Sequence, residues 1–347
     1  MDLLRIGTLG SSRISRSALI EPAASVPEVT VAAVAARDKS RAEAFALRHG
    51  IPAAYGSYAD LLADPDIDAI YNPLPNSLHG PWTLNAIAAG KHVLCEKPFA
   101  SNAEEAARVA DAASASGLVV MEAMHYRYHP LIRRLRDLVT ELGPVRHIQC
   151  WTSFAIADPD DIRYDYALAG GALMDGGCYA LDCLRMLGAT GQDAAGQDAA
   201  GQAGEPFVTG ALADPVAPDS GGGVPRGTVA DRAMAVRLAF PGGATGWFES
   251  AFTRDGEFRA DVHVICQDGQ VRMQNFIFVP RGRLVATRDG AVVADERGGG
   301  DSTYVGQLRA FAAAIARREP VPTSAANAVA TMRLIDDAYR AAGLAPR

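Results

Sequence analysis

The sequence lacks the features that would mark a secreted, membrane-bound or nucleic-acid-binding protein. Its five cysteines (Cys95, Cys150, Cys178, Cys183, Cys266) are odd in number and match no metal-site spacing. They read as buried small hydrophobes in a reducing compartment. No apolar run is long enough for a transmembrane helix, and the N-terminus enters a strand without a basic region or an apolar signal core. The expected location is the cytoplasm. Basic residues are outnumbered, 33 Lys and Arg against 40 Asp and Glu, for a net charge of −7. That argues against nucleic acid or an anionic membrane as the main partner. There is no G-x-S-x-G element, no P-loop and no H-E-x-x-H. Glu122, His125 and His129 do not make that pattern, Pro130 follows at once, and no metal is expected.

What is present is a full core: 49% hydrophobic and 21% charged residues in a chain of 347. That length favours two domains. Strands are expected over 3–8, 30–36, 69–72, 93–95 and 118–121. Helices fall between them over 40–49, 58–63, 79–89 and 102–116, with Ser40 as an N-cap and Gly90 closing the third helix. This alternation predicts a doubly wound parallel sheet over residues 1–124. Beyond Met124 the pattern changes. A helix over 131–142 precedes longer strands over 145–154, 233–240, 244–252, 260–266, 269–275 and 283–287, joined by turns such as Asp268-Gly269. Residues 125–347 therefore read as an α+β domain with an open, mostly antiparallel sheet. Its closing helices, 304–316 and 325–342, are free to pack back on the first domain. Residues 191–204 hold a Gly-Gln-Asp-Ala-Ala repeat with almost nothing to bury, which predicts a flexible insertion.

Three stretches carry chemistry. The first is the turn after the first strand. If Gly10 opens G-x-G-x-x-G, Ser12 and Ser15 take the other two places. The match is degenerate, but small residues still let a backbone approach a pyrophosphate at a helix N-terminus. Gly10, Ser11, Ser12, Arg13 and Ile14 are the candidate phosphate loop. At the end of the second strand, Arg37, Lys39 and Arg41 suit a ribose 2′-phosphate, whereas Asp38 could instead hold the ribose hydroxyls. NADP(H) is thus preferred and NAD(H) stays open.

The second stretch is Gly90-Lys91-His92-Val93-Leu94-Cys95-Glu96-Lys97-Pro98. A short buried strand delivers Glu96 and Lys97 to its carboxyl end, where ligands of open α/β sheets bind. Pro98 keeps Lys97 out of helical geometry. Lys97 can hold a cofactor ribose, a substrate hydroxyl or both; a surface lysine is the alternative. Asn72-Pro73-Leu74-Pro75-Asn76 and His79 border the same edge, where His79 lines the cleft or caps its helix.

The third stretch runs from Gly170 to Asp182. Asp175 and Tyr179 share a face if helical, and Gly176 and Gly177 suggest close approach of another backbone or a ligand. A tyrosine becomes a usable general base beside a lysine ammonium, and Lys97 is the candidate. A core tyrosine with a satisfied hydroxyl is the alternative. His125, Tyr126, Arg127, Arg163 and Tyr166 are candidate pocket residues.

These residues resemble the glucose–fructose oxidoreductase / inositol dehydrogenase (Gfo/Idh/MocA) family. The resemblance rests on the degenerate glycine turn, on the stretches 72–79 and 89–98, and on the Asp175…Tyr179 segment. Ala35-Ala36-Arg37-Asp38 and Met121-Glu122-Ala123 look most like the dihydrodiol dehydrogenase and NADP-dependent xylose dehydrogenase branch. It implies a Rossmann domain and an open-sheet domain that pairs subunits into a homodimer or homotetramer. It also implies that Lys97 touches cofactor and substrate and that Asp175 orients substrate. Tyr179 stands where many members place a catalytic histidine, which is unlike inositol dehydrogenase. The implied activity is NADP-dependent interconversion of a secondary alcohol and a ketone on a sugar, cyclic polyol or dihydrodiol. A dinucleotide-binding regulatory protein and an NAD-dependent glycoside-processing enzyme on the same scaffold are the alternatives.

Overall fold

The structure, a computed structural model, describes residues 3–188, 205–216, 229–253 and 256–347. The repeat at 191–204 lies outside the described residues. The chain divides into two units, residues 1–128 with 301–329 and residues 129–300 with 330–347.

The first unit is built on six parallel strands: β1 (Leu4–Leu9), β2 (Val29–Ala35), β3 (Ala53–Tyr55), β4 (Ala69–Asn72), β5 (His92–Cys95) and β6 (Val120–Glu122). Their order is β3-β2-β1-β4-β5-β6. The order reverses between β1 and β4, and the crevice at such a reversal is where dinucleotides bind. Between the strands run α1 (Glu21–Ala23), α2 (Lys39–His49), α3 (Tyr58–Leu62), α4 (His79–Ala88) and α5 (Ala103–Ser116). Every residue of β4 is buried, as are Val93, Leu94 and Cys95 of β5, as expected of strands covered on both faces. Lys91, just before β5, is committed to structure: its Nζ donates to the carbonyls of Asp64 and Ile67, both at 2.7 Å. The core of this unit also takes in a helix from far along the chain. Val305, Leu308 and Phe311 pack with Leu4, Ile6, Leu19, Tyr71, Leu94 and Met121.

The second unit holds α6 (Pro130–Glu141), β7 (Val145–Ala155), α7 (Cys178–Gly188), and β8 (Phe207–Pro215), β9 (Asp231–Ala239), β10 (Thr245–Thr253), β11 (Arg259–Cys266), β12 (Gln270–Gln274), β13 (Arg283–Arg288) and β14 (Ala291–Arg297). The eight strands form one sheet, ordered β14-β13-β12-β11-β7-β10-β9-β8. All neighbours are antiparallel except β7 and β10, which run parallel from Thr245 beside His147 to Thr253 beside Ala155. The helix carrying Val305 is α8 (Thr303–Arg317), and α9 (Ala325–Ala341) follows it. All five cysteines are buried and none is in a disulfide. Among the described residues no cluster of His, Cys, Asp or Glu could hold a metal, and no helix is long and apolar enough to cross a membrane.

Candidate active site

In the first strand-to-helix turn, Gly10 sits at φ +80 and donates its N–H to the Ala35 carbonyl at 2.6 Å. A Cβ there would lie 3.1 Å from Leu74 and 3.9 Å from the Tyr58 hydroxyl, so conformation and space both call for glycine. Ser15 is buried and its Oγ lies 3.3 Å from that of Thr8. A small residue in that place serves the close packing of helix on strand that a third glycine would otherwise allow. Ser11, Ser12 and Ile14 are half-buried in the turn and Arg13 is exposed.

The N-cap of α2 is Asp38, not Ser40. Asp38 Oδ1 accepts both the backbone N–H and the hydroxyl of Ser40, at 2.8 and 2.7 Å. These bonds, the hydroxyl's first, hold the Asp38 carboxyl below its ordinary pKa. One oxygen of the acid that could favour ribose hydroxyls is thus engaged at a helix start, and Arg37 and Arg41 are exposed at the strand end. Both arginine charges act on Tyr58, where they oppose the upward shift caused by burial. Tyr58 in turn packs edge-to-face on Trp82, with ring centroids 4.8 Å apart. Tyr58 and Trp82 give this end of the crevice an aromatic wall that the sequence pattern did not signal.

At the carboxyl end of β5, Glu96 Oε1 accepts the Tyr71 hydroxyl at 2.7 Å and Oε2 accepts the Lys97 backbone N–H at 3.3 Å. Lys97 is half-buried and the Lys97–Pro98 bond is cis. Asn72 donates to the His79 carbonyl (3.0 Å) and to the Thr83 hydroxyl (3.2 Å), fastening the Pro73-Leu74 turn to the start of α4. Asn76 is half-buried in the same loop. The His79 ring nitrogens lie 2.6 Å from the Pro98 carbonyl and 2.7 Å from the Leu74 carbonyl. Two acceptors at that range favour a doubly protonated ring. Complete burial opposes it more strongly, with help from the Lys97 charge, and the His79 pKa falls to about 4. His125 meets the same two influences and falls to about 3, its Nδ1 lying 2.7 Å from the Thr303 hydroxyl. Burial thus lowers both imidazole pKa values, and Lys97 is the charge that both of them feel.

The Tyr304 ring lies 4.1 Å from the His125 ring, and burial together with the Glu96 charge pushes its hydroxyl pKa up. Tyr304 and Thr303 come from α8, a connection across some 180 residues that motif spacing could not reveal. Tyr126 is fully buried and Arg127 half-buried beside them in the short turn His125–Tyr128.

In the second unit, Asp175 lies in a π-wound turn, Leu173–Gly177, that runs directly into α7. Such turns concentrate at functional sites. Tyr179 stands in the first turn of α7, 4% exposed. Asp175 Oδ2 accepts from Arg163 Nε at 3.1 Å, and Arg163 is held on its other side by Asp161, also at 3.1 Å. The two carboxylates, Asp175 first, raise the guanidinium pKa. Tyr166 donates its hydroxyl to the Pro346 carbonyl at 2.9 Å. The glycines of this segment meet the sheet. A Cβ on Gly176 would lie 2.7 Å from Ser250 Oγ, 2.9 Å from Phe154 and 3.0 Å from Thr152 Oγ1.

Comparison with known proteins places both units. Residues 4–124 match the family model of oxidoreductases with an NAD-binding Rossmann fold, and residues 132–272 match the Gfo/Idh/MocA C-terminal domain. The chain belongs to the Gfo/Idh/MocA family of oxidoreductases. It is 36% identical over 346 residues to D-xylose 1-dehydrogenase (NADP(+)) 2 of Haloferax volcanii, covering 98% of this chain and 97% of that protein. It is 42% identical over 163 residues to trans-1,2-dihydrobenzene-1,2-diol dehydrogenase of Sus scrofa, a match spanning 46% of this chain and 48% of that protein. Among solved structures of the Gfo/Idh/MocA fold, a 3-ketoreductase from Actinomadura kijaniata in complex with NADP and TDP-benzene superposes with a TM-score of 0.82. Its identity is 24%, and the match covers 98% of each chain.

Proposed function

We propose that this Gfo/Idh/MocA protein is an NADP-dependent dehydrogenase/reductase that interconverts a secondary alcohol and its carbonyl on an uncharged sugar, cyclic polyol or dihydrodiol. The nicotinamide, when bound, supplies or takes the hydride. The residues present fit an NADP: Gly10 at φ +80 gives the tight, side-chain-free turn a pyrophosphate needs, Asp38 Oδ1 is engaged as a cap, and Arg37 and Arg41 stand at the strand end for a 2′-phosphate. Ser11, Ser12, Arg13 and Ile14 would hold the pyrophosphate. Asn72, Pro73, Leu74, Asn76, His79 and Glu96 would shape the nicotinamide end.

In this reading Tyr179 takes the hydroxyl proton during oxidation and returns it during reduction. The Lys97 ammonium keeps the tyrosine hydroxyl acidic enough to do so and donates a hydrogen bond to the reacting oxygen. Asp175, held by Arg163, orients the substrate. The observation that carries the proposal is the position of Lys97, half-buried at the carboxyl end of β5, where its charge lowers the pKa of both His79 and His125. An uncharged substrate is favoured because Arg163 is already balanced by two carboxylates, which leaves it no net positive charge for a phosphate. The full-length similarity to a D-xylose dehydrogenase points the same way. The family habit of pairing through the open sheet suggests a homodimer or homotetramer.

The test follows NADP+ reduction with D-xylose, D-glucose, myo-inositol and a trans-dihydrodiol, for the wild type and Tyr179→Phe. Turnover on at least one of these should fall by about 10²–10⁴-fold in the variant while NADPH affinity holds. Tight NADPH binding with no turnover on any of them would favour a dinucleotide-responsive regulator instead.

A further inference from the structure

Resting on the acid–base assignment to Tyr179, we infer that Arg347 and Asp231 form a buried clamp that positions the Asp175–Tyr179 segment, with Arg347 as a positioning residue for the reaction. The clamp grips Gly170 and Leu173, which bracket Gly171 and Ala172. Arg347 Nε donates to the Gly170 carbonyl at 2.9 Å, and Asp231 Oδ2 accepts the Leu173 backbone N–H at 2.7 Å. Leu173 is the first residue of the π-wound turn, so its N–H is one that the turn itself cannot satisfy. Arg347 and Asp231 also bind each other, Nη2 to Oδ1 at 2.8 Å, with both side chains wholly removed from solvent. Tyr339 donates its hydroxyl to the same Oδ1 at 2.7 Å, and the Arg347 guanidinium lies over the rings of Tyr339 (4.0 Å) and Tyr166 (4.7 Å).

The glycine between the two grips explains why they can close. Gly171 has φ +137, and a Cβ there would collide with Asp231 Oδ1, the Tyr339 hydroxyl and Arg347 Nη2. Its carbonyl then accepts the Asp175 N–H at 3.0 Å, carrying the constraint into the turn. A surface loop could have been held by one ordinary hydrogen bond. Here an ion pair that is costly to bury is placed where it fixes one carbonyl and one N–H, five and two residues before Asp175. Fixing the backbone at both ends of a short segment sets the direction in which the following side chains leave it. A misplacement of about 1 Å in a reacting group can cost on the order of 100-fold in rate.

The test uses the full chain, with D-xylose and NADP+ as the kinetic probe and hydrogen exchange of the amides at 171–179 as a readout independent of activity. Arg347→Ala should lower kcat by roughly ten- to a hundred-fold, speed exchange at 171–179 and leave NADPH affinity unchanged. Added to Tyr179→Phe, it should cost little more, since groups that act as one unit are not additive. If Arg347→Ala does not fold because it strands Asp231, Arg347→Met with Asp231→Asn removes both charges, keeps an acceptor for Leu173 N–H, and is held to the same criteria. A folded variant with kcat within about twofold of wild type, or with unchanged exchange at 171–179, overturns the clamp. So does a loss as large in the Tyr179→Phe background as in wild type. A Tyr179→Phe protein with full turnover defeats the acid–base assignment instead, and the exchange result then decides the clamp alone.

Discussion

Gly176→Ala tests whether the sheet of the second unit holds the Asp175–Tyr179 segment in place. In an exposed helix, replacing glycine by alanine would stabilise by about 0.5–1 kcal/mol, through lower unfolded-state entropy. Here the new methyl carbon would stand 2.7 Å from Ser250 Oγ, 2.9 Å from Phe154 Cε2 and 3.0 Å from Thr152 Oγ1. Two of the three cannot yield easily. Ser250 is 1% exposed and its Oγ donates to the Ala172 carbonyl at 2.7 Å, so turning it away breaks a buried hydrogen bond. Thr152 is β-branched and buried, which restricts it to few rotamers. Overpacking of this kind costs about 1–3 kcal/mol, more than the propensity gain, so the net effect is a loss of about 1–2 kcal/mol. For a unit of this size that lowers Tm by several degrees, at roughly 2–4 °C per kcal/mol. The relief open to the segment is to lift off β7 and β10, taking Asp175 and Tyr179 with it, so kcat should fall by more than tenfold. Gly177→Ala is the control. There the nearest atom is Leu173 Cδ1 at 2.7 Å, the end of a flexible side chain, and both losses should be smaller. Adding Ser250→Ala to Gly176→Ala removes the nearest obstacle and should restore part of the turnover. Thermal melts with steady-state kinetics decide the matter: a Gly176→Ala protein with raised Tm and unchanged kcat would refute the reasoning.

Arg37→Ala should weaken NADPH binding far more than NADH binding, by on the order of ten- to a hundred-fold, since only NADPH carries the phosphate; calorimetry showing equal losses would return the role to Asp38. Lys97→Met should cut turnover and also weaken NADPH binding, and combined with Tyr179→Phe it should be little worse than the poorer single variant. His125 gives the pH prediction. Its pKa is about 3 in the fold against about 6.5 when unfolded, so between those values the unfolded chain binds a proton that the folded chain refuses. Its stabilising contribution is complete above pH 6.5 and is lost as pH falls towards 3, by on the order of 5 kcal/mol in full. Urea melts across that window should show a shallower decline for His125→Gln, and an unchanged slope would contradict the assignment.

What could be seen in the sequence, and what could not, follows from how far each interaction reaches along the chain. The strand before Glu96 was legible because a parallel strand covered on both faces leaves a continuous apolar mark, Val93-Leu94-Cys95. The cap of α2 was misassigned by two residues because Asp38 and Ser40 are both good caps, and only geometry shows which one accepts. That small shift bears on chemistry, since it engages one oxygen of the carboxylate that would have argued for NAD. β8 and β14 went unseen for a different reason. Each is the edge of its sheet, and β14 buries no residue, so there was no apolar face to find. One signal for β14 was present: Asp289-Gly290, both at positive φ, joins Arg288 to Ala291 as a two-residue hairpin turn. Pairings such as His125 with Thr303, Asp231 with Leu173 and Arg347 with Gly170 span 58 to 178 residues, beyond any periodicity.

The glycine run before Tyr179 shows where sequence reasoning about close approach stops. Gly176 and Gly177 left two explanations, a neighbouring backbone or a ligand. What meets Gly176 is the side chains of β7 and β10, with Ser250 bonded back to Ala172 in the same segment. β7 and β10 are also the one parallel pair in the sheet, in register over nine consecutive residues. Thr152 and Ser250 are partners in that register, so two small hydroxyl residues, side by side, make the floor on which Gly176 rests. A larger side chain at any of the three positions would tilt the π-wound turn. The requirement is therefore shared between strands about 100 residues apart, and the glycine is only its visible third. Conversely, nothing in the described contacts of Gly176 calls for a ligand there, so the substrate in the proposed reaction is to be sought at the Asp175 carboxylate and the Tyr179 hydroxyl, with the glycines acting by letting the turn sit close to the sheet.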